Sequence, residues 1–151
     1  MTKTTVCAMQ MLTYLARHRS AVPVSRRFIA AKLGLSSSYL AKIVNTLSRA
    51  GILRSYRGIA GGVMLGRAPA QITLLNIIEA CQGAITAGNC GQAGSARPVC
   101  AYHRAMAEVA QALTETLSRW TILHLATENR RTSGSLNRRT CRMANVLKAC
   151  A

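Results

Sequence analysis

Apolar residues recur at helical spacing through the first fifty positions and then switch abruptly to strand spacing. Over residues 5–18, Val6, Met9, Leu12 and Leu15 or Ala16 trace one helical face, and Arg17 and Arg19 close its C-terminal end, where positive charge complements the helix dipole. "SAVPVS" interrupts this pattern. Ser25 is placed to cap a second helix with Phe28, Ile29 and Leu33 as its apolar face. Gly34 stops that helix and Leu35 re-enters the core. Ser36 then caps a third helix, in which Leu40, Ile43, Val44 and Leu47 repeat at i, i+3, i+4 and i+7. Gly51 ends it, in the position where a left-handed residue costs little. Two short helices joined by a tight glycine turn form a helix-turn-helix pattern.

Behind the third helix, "ILRSY" and "VMLGR" alternate as two strands around the turn "RGIAGG". A hairpin directly after such a helix is a wing, and Arg57 at its tip can enter a narrow minor groove, where the negative potential is enhanced. "APAQ" links the wing to "ITLLNIIEACQG", a helix capped by Thr73 and closed by Gly83. Residues 84–99 are small, Gly-rich and without periodicity. They predict a loop that holds Cys90 and leads to Cys100. From about 101 to 126 one long helix is predicted, with Met106, Val109, Leu113, Leu117, Trp120 and Leu123 or His124 on a single stripe. The stripe is too apolar for a lone surface helix; the alternatives are a second subunit or the chain's own winged domain, and the symmetric dimer is the expectation. Residues 129–151 are basic and polar, a composition that predicts no fixed structure.

The expected fold is therefore mainly α with a small β-hairpin wing. Residues 1–83 form a winged helix-turn-helix domain, 84–100 a cysteine-bearing loop, 101–128 a dimerisation helix and 129–151 a basic tail.

Charge sharpens this picture. The net charge is +16, and all four acids (Glu79, Glu108, Glu115, Glu128) lie beyond position 78, leaving eleven Lys and Arg and no acid in residues 1–78. A half-chain of that kind is suited to a polyanion, nucleic acid before anionic membrane. No apolar run approaches the roughly 18 residues of a membrane span. "VCAMQMLTYLA" reads as an amphipathic helix rather than a signal sequence, so a cytoplasmic protein is expected. The polar face of the third helix offers Ser37, Ser38, Tyr39, Lys42, Asn45, Thr46 and Arg49 and not one carboxylate; Arg54 and Arg57 extend the surface onto the wing. Double-stranded DNA with a palindromic operator is the partner expected of a dimer of such readers. His18, His103 and His124 have no acid at a suggestive position and no nucleophile motif is present, so an enzyme is not expected.

Six cysteines (Cys7, Cys81, Cys90, Cys100, Cys141, Cys150) without an export signal argue against a disulfide framework. Cys90 and Cys100 have little to pack against in a Gly-rich loop, and Cys100 and His103 stand three apart at a helix start, where both can face one centre. Cys7 and Cys81 fall on apolar helix faces and read first as core residues.

The succession "IAAKLGLSSSYLAKIVNTLSRAGILRSYRGIAGGVMLGR", "ITLLNIIEACQG" and a cysteine-bearing loop feeding a long helix resembles the bacterial IscR/NsrR-type winged-helix transcription regulators, over residues 1 to about 126. The resemblance implies major-groove contacts from Ser37, Ser38, Tyr39 and Lys42 and minor-groove insertion of Arg57. Some members carry an acidic residue on the recognition helix; here that face offers Ala41 and Lys42. The resemblance also implies a 2Fe-2S or 4Fe-4S cluster. Cluster-binding members place three cysteines in the loop, sometimes followed by a histidine; this chain has Cys90, Cys100 and His103, and lacks the middle cysteine. Some relatives complete the site with a carboxylate from the partner's first helix. Here Cys7 of the partner takes that role by position. The expected function is a sequence-specific repressor whose DNA affinity follows an iron–sulfur cluster or redox state. The alternatives are a cluster-free thiol switch on the same fold, or a nonspecific architectural nucleic-acid protein.

Overall fold

Helix α1 (Lys3–His18) runs through the centre of the molecule, a computed structural model that describes residues 1–18, 22–58, 61–86 and 100–127. It buries more than one face, with Ala8, Met11, Leu12 and Thr13 wholly inaccessible, because neighbours pack around it on several sides. Its buried hydroxyls are satisfied: Thr13 Oγ1 donates to the Met9 carbonyl at 2.7 Å, and Thr5 Oγ1 accepts from Gln82 Nε2 at 2.8 Å.

Helices α2 (Arg26–Leu33) and α3 (Ser37–Arg49) form the helix-turn-helix. Gly34 turns the chain at φ 62°, and the Leu35 N–H returns to the Ala30 carbonyl at 2.9 Å. Ser36 Oγ then accepts the Tyr39 N–H at 3.3 Å and starts α3. Leu40, Ile43, Val44 and Leu47 are buried as their spacing predicts, each burial contributing about 1.5–3 kcal/mol. Two local expectations differ. Ser25 occupies the α2 cap position without a side-chain bond to the backbone. Phe28 is 46% exposed, because the buried face of α2 is Ile29 and Ala30; its ring lies 6.3 Å from that of Tyr14 and under Lys32 Nζ at 5.8 Å.

The wing is the antiparallel pair β1 (Leu53–Tyr56) and β2 (Gly62–Leu65), in register Leu53↔Leu65 through Tyr56↔Gly62. Val24, ahead of α2, bridges Val63 through two backbone bonds of 3.0 and 2.9 Å, so the wing is fastened to the helix-turn-helix on both sides. A 3-10 turn (Pro69–Gln71) leads to α4 (Leu74–Gln82), whose first turn carries a reciprocal capping box between Thr73 and Asn76.

The long helix departs from expectation. α5 (Ala101–Arg119) ends at Trp120, and a separate short α6 (Ile122–Thr127) follows. Thr121 forms an antiparallel bridge with Thr73: the Leu74 N–H donates to the Trp120 carbonyl at 2.8 Å and the Ile122 N–H to the Ile72 carbonyl at 2.9 Å. Those bonds require extended backbone, so the helix breaks within its apolar stripe. Thr121 and His124 then bond reciprocally across the first turn of α6, with the Thr121 N–H donating to His124 Nδ1 at 3.1 Å. Ile122 is fully buried, and α6 packs on α1. The loop residues 87–99 and the tail from 128 onward lie outside the described residues.

Candidate functional site

The outward face of α3 presents Ser37, Ser38, Lys42, Asn45 and Arg49, all exposed, and no carboxylate stands among them. Tyr39 is different: it is half-buried and its phenol lies 3.0 Å from Thr4 Oγ1, which braces α3 against α1. Arg54 and Arg57 are exposed on the wing. Arg67 instead donates from Nη2 to the Ala50 carbonyl at 2.9 Å, at the C-terminal end of α3, where a cation meets the negative end of the helix dipole. Ser48 Oγ and Ser55 Oγ, 3.1 Å apart, join α3 to β1. Helix and wing are therefore joined through side chains as well as through the backbone.

Between them lies a cleft of about 430 Å³ lined by Ser25, Arg26, Arg27, Ser37, Ala41, Tyr56, Gly58 and Gly61. Sequence reasoning passed over Arg26 and Arg27, because α2 was read for its apolar face. The available signal was two adjacent arginines directly after a capping serine, in the acid-free half of the chain.

At the start of α5, Cys100 Sγ lies 3.0 Å from His103 Nδ1, one turn along the helix. Cys100 is exposed, and its hydrogen bond with His103 holds the thiol below its ordinary range. The Tyr102 ring sits edge-on to His103, with centroids 5.4 Å apart. Cys81 behaves oppositely: it is half-buried, and burial pushes its thiol up, with a hydrogen bond to Thr5 acting the other way. Cys7 is 6% exposed and packs in the hydrophobic core of its own subunit. Cys90, Cys141 and Cys150 lie outside the described residues, among which no cluster of three or more His, Cys, Asp or Glu occurs.

This arrangement has a direct chemical consequence. The thiolate is the nucleophile, so at pH 7 iodoacetamide is expected to label Cys100 before Cys81 and Cys7, as site-resolved mass spectrometry reports. His103→Gln removes the hydrogen-bonding imidazole and is expected to slow labelling of Cys100. An unchanged rate would mean that the pair is not coupled.

The helix-turn-helix, the wing fastened behind it and the appended α5 define a winged-helix transcription regulator. The chain belongs to the Rrf2 family, whose model, described as an iron-dependent transcriptional regulator, matches residues 1–128; members of the family are regulators and not enzymes. The protein aau3 of Rhizobium meliloti (strain 1021) is 33% identical over 129 residues, 81% of each chain. Among solved structures, CymR, described as the global cysteine regulator of B. subtilis, is 27% identical with a TM-score of 0.69, over 85% of this chain and 96% of that one. T. potens IscR, 24% identical with a TM-score of 0.71 over 91% of this chain and 93% of that one, shares the fold. No helix among the described residues is long and apolar enough to cross a membrane.

Proposed function

We propose that this chain is a cytoplasmic, homodimeric repressor that reads a palindromic DNA operator, with its affinity set at the Cys90–Cys100–His103 region. The observation that carries the reading is the exposed, carboxylate-free face of α3 set beside an arginine-bearing wing. Ser37, Ser38, Lys42, Asn45 and Arg49 face the major groove in this reading, with Tyr39 at its edge, while Arg54 and Arg57 approach the adjoining backbone and minor groove. The working division is a winged domain at 1–83, a sensor loop at 84–100, a dimerisation segment at 101–128 and a basic tail at 129–151 that adds affinity at low salt.

The donor set at the head of α5 suits an iron–sulfur cluster. Cys100 and His103 stand side by side at the start of α5, and thiolate and imidazole are both known cluster donors. Cys100 and His103 would hold the cluster together with Cys90. A bound cluster supplies redox chemistry whose potential rises when imidazole replaces thiolate. The chain's own part is to anchor that site on α5 and to tie α5, through the Trp120–Leu74 and Ile122–Ile72 bonds, to the segment that follows the wing. A rearrangement at Cys100 thus has a route along the nineteen residues of α5, and then through those hydrogen bonds, to the segment that follows the wing.

A second reading is favoured by the exposure of Cys100 and its lowered thiol: reversible modification of that thiol sets the affinity with no cluster. Anaerobic purification separates the two. The cluster reading expects absorption bands between about 320 and 460 nm with matching iron and sulfide, lost in Cys100→Ala. A colourless protein that resists reconstitution leaves the thiol switch.

A further inference from the structure

Helix α1 begins at Lys3, so no helical turn lies behind Thr4 or Thr5 to receive their hydroxyls, as the Met9 carbonyl receives that of Thr13. Both hydroxyls reach other elements instead. Consecutive residues stand about 100° apart around a helix, so the two leave α1 toward different neighbours: Thr5 toward α4 and Thr4 toward α3. We propose that Thr4 and Thr5 are positioning residues for DNA reading, which tie the C-terminal end of α4 through the first turn of α1 to Tyr39 and so set where the start of α3 stands. The inference rests on the DNA-reading assignment above and adds residues that lie outside the reading face.

On the α4 side the connection converges on one hydroxyl. Thr5 is wholly buried, and its Oγ1 accepts from Gln82 Nε2 at 2.8 Å. The same oxygen lies 3.0 Å from Thr2 Oγ1, and the Thr5 side chain is hydrogen-bonded with Cys81. A hydroxyl gives one proton and accepts on its lone pairs, so this single group serves α4 and the head of α1 together. Thr2 Oγ1 in turn accepts the Thr5 N–H at 3.3 Å and caps α1. The end of α4 is thus fastened to the cap of α1.

On the α3 side one residue is held at both ends. Thr4 is half-buried, and its Oγ1 lies 3.0 Å from the Tyr39 phenol oxygen. The Tyr39 N–H donates to Ser36 Oγ at 3.3 Å. The cap fixes this turn along the axis of α3, and the phenol fixes it around that axis. Ser37 and Ser38, both exposed, are carried on the same turn. A rotation of α3 that displaced their hydroxyls from the base edges would stretch the Thr4–Tyr39 bond. Base edges carry the sequence information and phosphates carry none, so the tie acts on selectivity rather than on total affinity.

The test measures the affinity of the full-length protein for a duplex recovered by selection from a random pool and for the unselected pool, and takes their ratio. Thr4→Val removes the hydroxyl with little change of shape, and Gln82→Leu removes the α4 contact from an exposed position. Each is expected to lower the ratio roughly two- to tenfold, the span of one net hydrogen bond, with affinity for the pool unchanged. Thr4→Ser keeps the hydroxyl and is expected to keep the ratio. Thr4→Val combined with Gln82→Leu is expected to lose no more than the larger single loss, because both act through one tie. An unchanged ratio in either single variant would overturn the proposal, and the exposed Gln82 decides it where Thr4→Val fails to fold. Losses that multiply in the double variant would overturn it too, as would a Thr4→Ser protein that loses as much as Thr4→Val. A wild-type protein with no preference for the selected duplex would remove the DNA-reading assignment itself, which is a different result from a defect confined to the variants.

Discussion

Replacing Val109 and Leu113 together by glutamate is expected to leave a folded protein that sediments as a monomer and binds its operator about 100-fold more weakly. α5 is nineteen residues long and buries none of them. Val109 is 50% exposed and Leu113 47%, four residues apart and therefore on one side of the helix; Leu123 at 37% and Trp120 at 40% continue the apolar surface beyond its end. Among the described residues of α5, Leu117 near its C-terminal end packs against the subunit's own core. An apolar face of this length is stable in water when a matching face covers it, and in the dimer proposed above a two-fold axis supplies one from an identical chain. The expected loss of affinity follows from geometry: two linked readers make the second half-site contact intramolecular, and separation removes that gain, worth about 10²–10⁴ in affinity. Neither side chain serves the subunit's own core, so the thermal transition of the remaining fold should persist. Sedimentation equilibrium and DNA titration on the same sample decide it. A dimer that survives both glutamates would place the subunit contact elsewhere, and a monomer with undiminished affinity would mean that one subunit suffices.

The break in that helix shows where sequence reasoning ends. The apolar stripe continues without a gap from Met106 to Leu123, so nothing local announces that the chain leaves the helix at Trp120. The cause is a pairing with Thr73, nearly fifty positions earlier, and such contacts leave no mark in a periodicity. Tyr39 is a similar case: it belongs to the polar face by spacing, yet its phenol reaches Thr4 on another helix. Phe28 and Ile29 are adjacent, so a short helix of eight residues cannot reveal which of them faces inward. Where the chemistry is local the sequence was legible. Gly34 and Gly51 take positive φ at the two helix ends, Ser36 and Thr73 cap as their positions suggest, and the four aliphatic residues of α3 are the ones buried. The pairing of Cys100 with His103 was legible for the same reason, since residues three apart share a helix face. Cys7 lies in the buried core, as its place on an apolar helix face allows.

Substituting Gly62 by alanine is expected to destabilise the protein by about 2–3 kcal/mol, by forcing the wing off the helix-turn-helix. A Cβ at this residue would stand 2.4 Å from the Val24 carbonyl oxygen and 2.6 Å from its carbon, with the Pro23 carbonyl carbon at 3.1 Å. All three obstacles are backbone, so no rotamer change relieves them. The Val24 and Val63 backbone bonds, at 3.0 and 2.9 Å, hold the two segments at this separation, and moving them apart by the required distance breaks both. Gly34→Ala provides the contrast: a Cβ there meets nothing within 4 Å, and only the positive φ of 62° opposes it, a cost of about 1–2 kcal/mol. The expected fall in melting temperature for Gly62→Ala is roughly 4–12 °C. Its DNA affinity should fall as well, because Arg54 and Arg57 are carried on the strand paired with Gly62 and just beyond it, and their reach depends on where the wing is fastened. A Gly62→Ala protein that melts with the wild type would show that the Val24 bridge does not hold the wing, and Arg57 would then have to be positioned by the DNA itself.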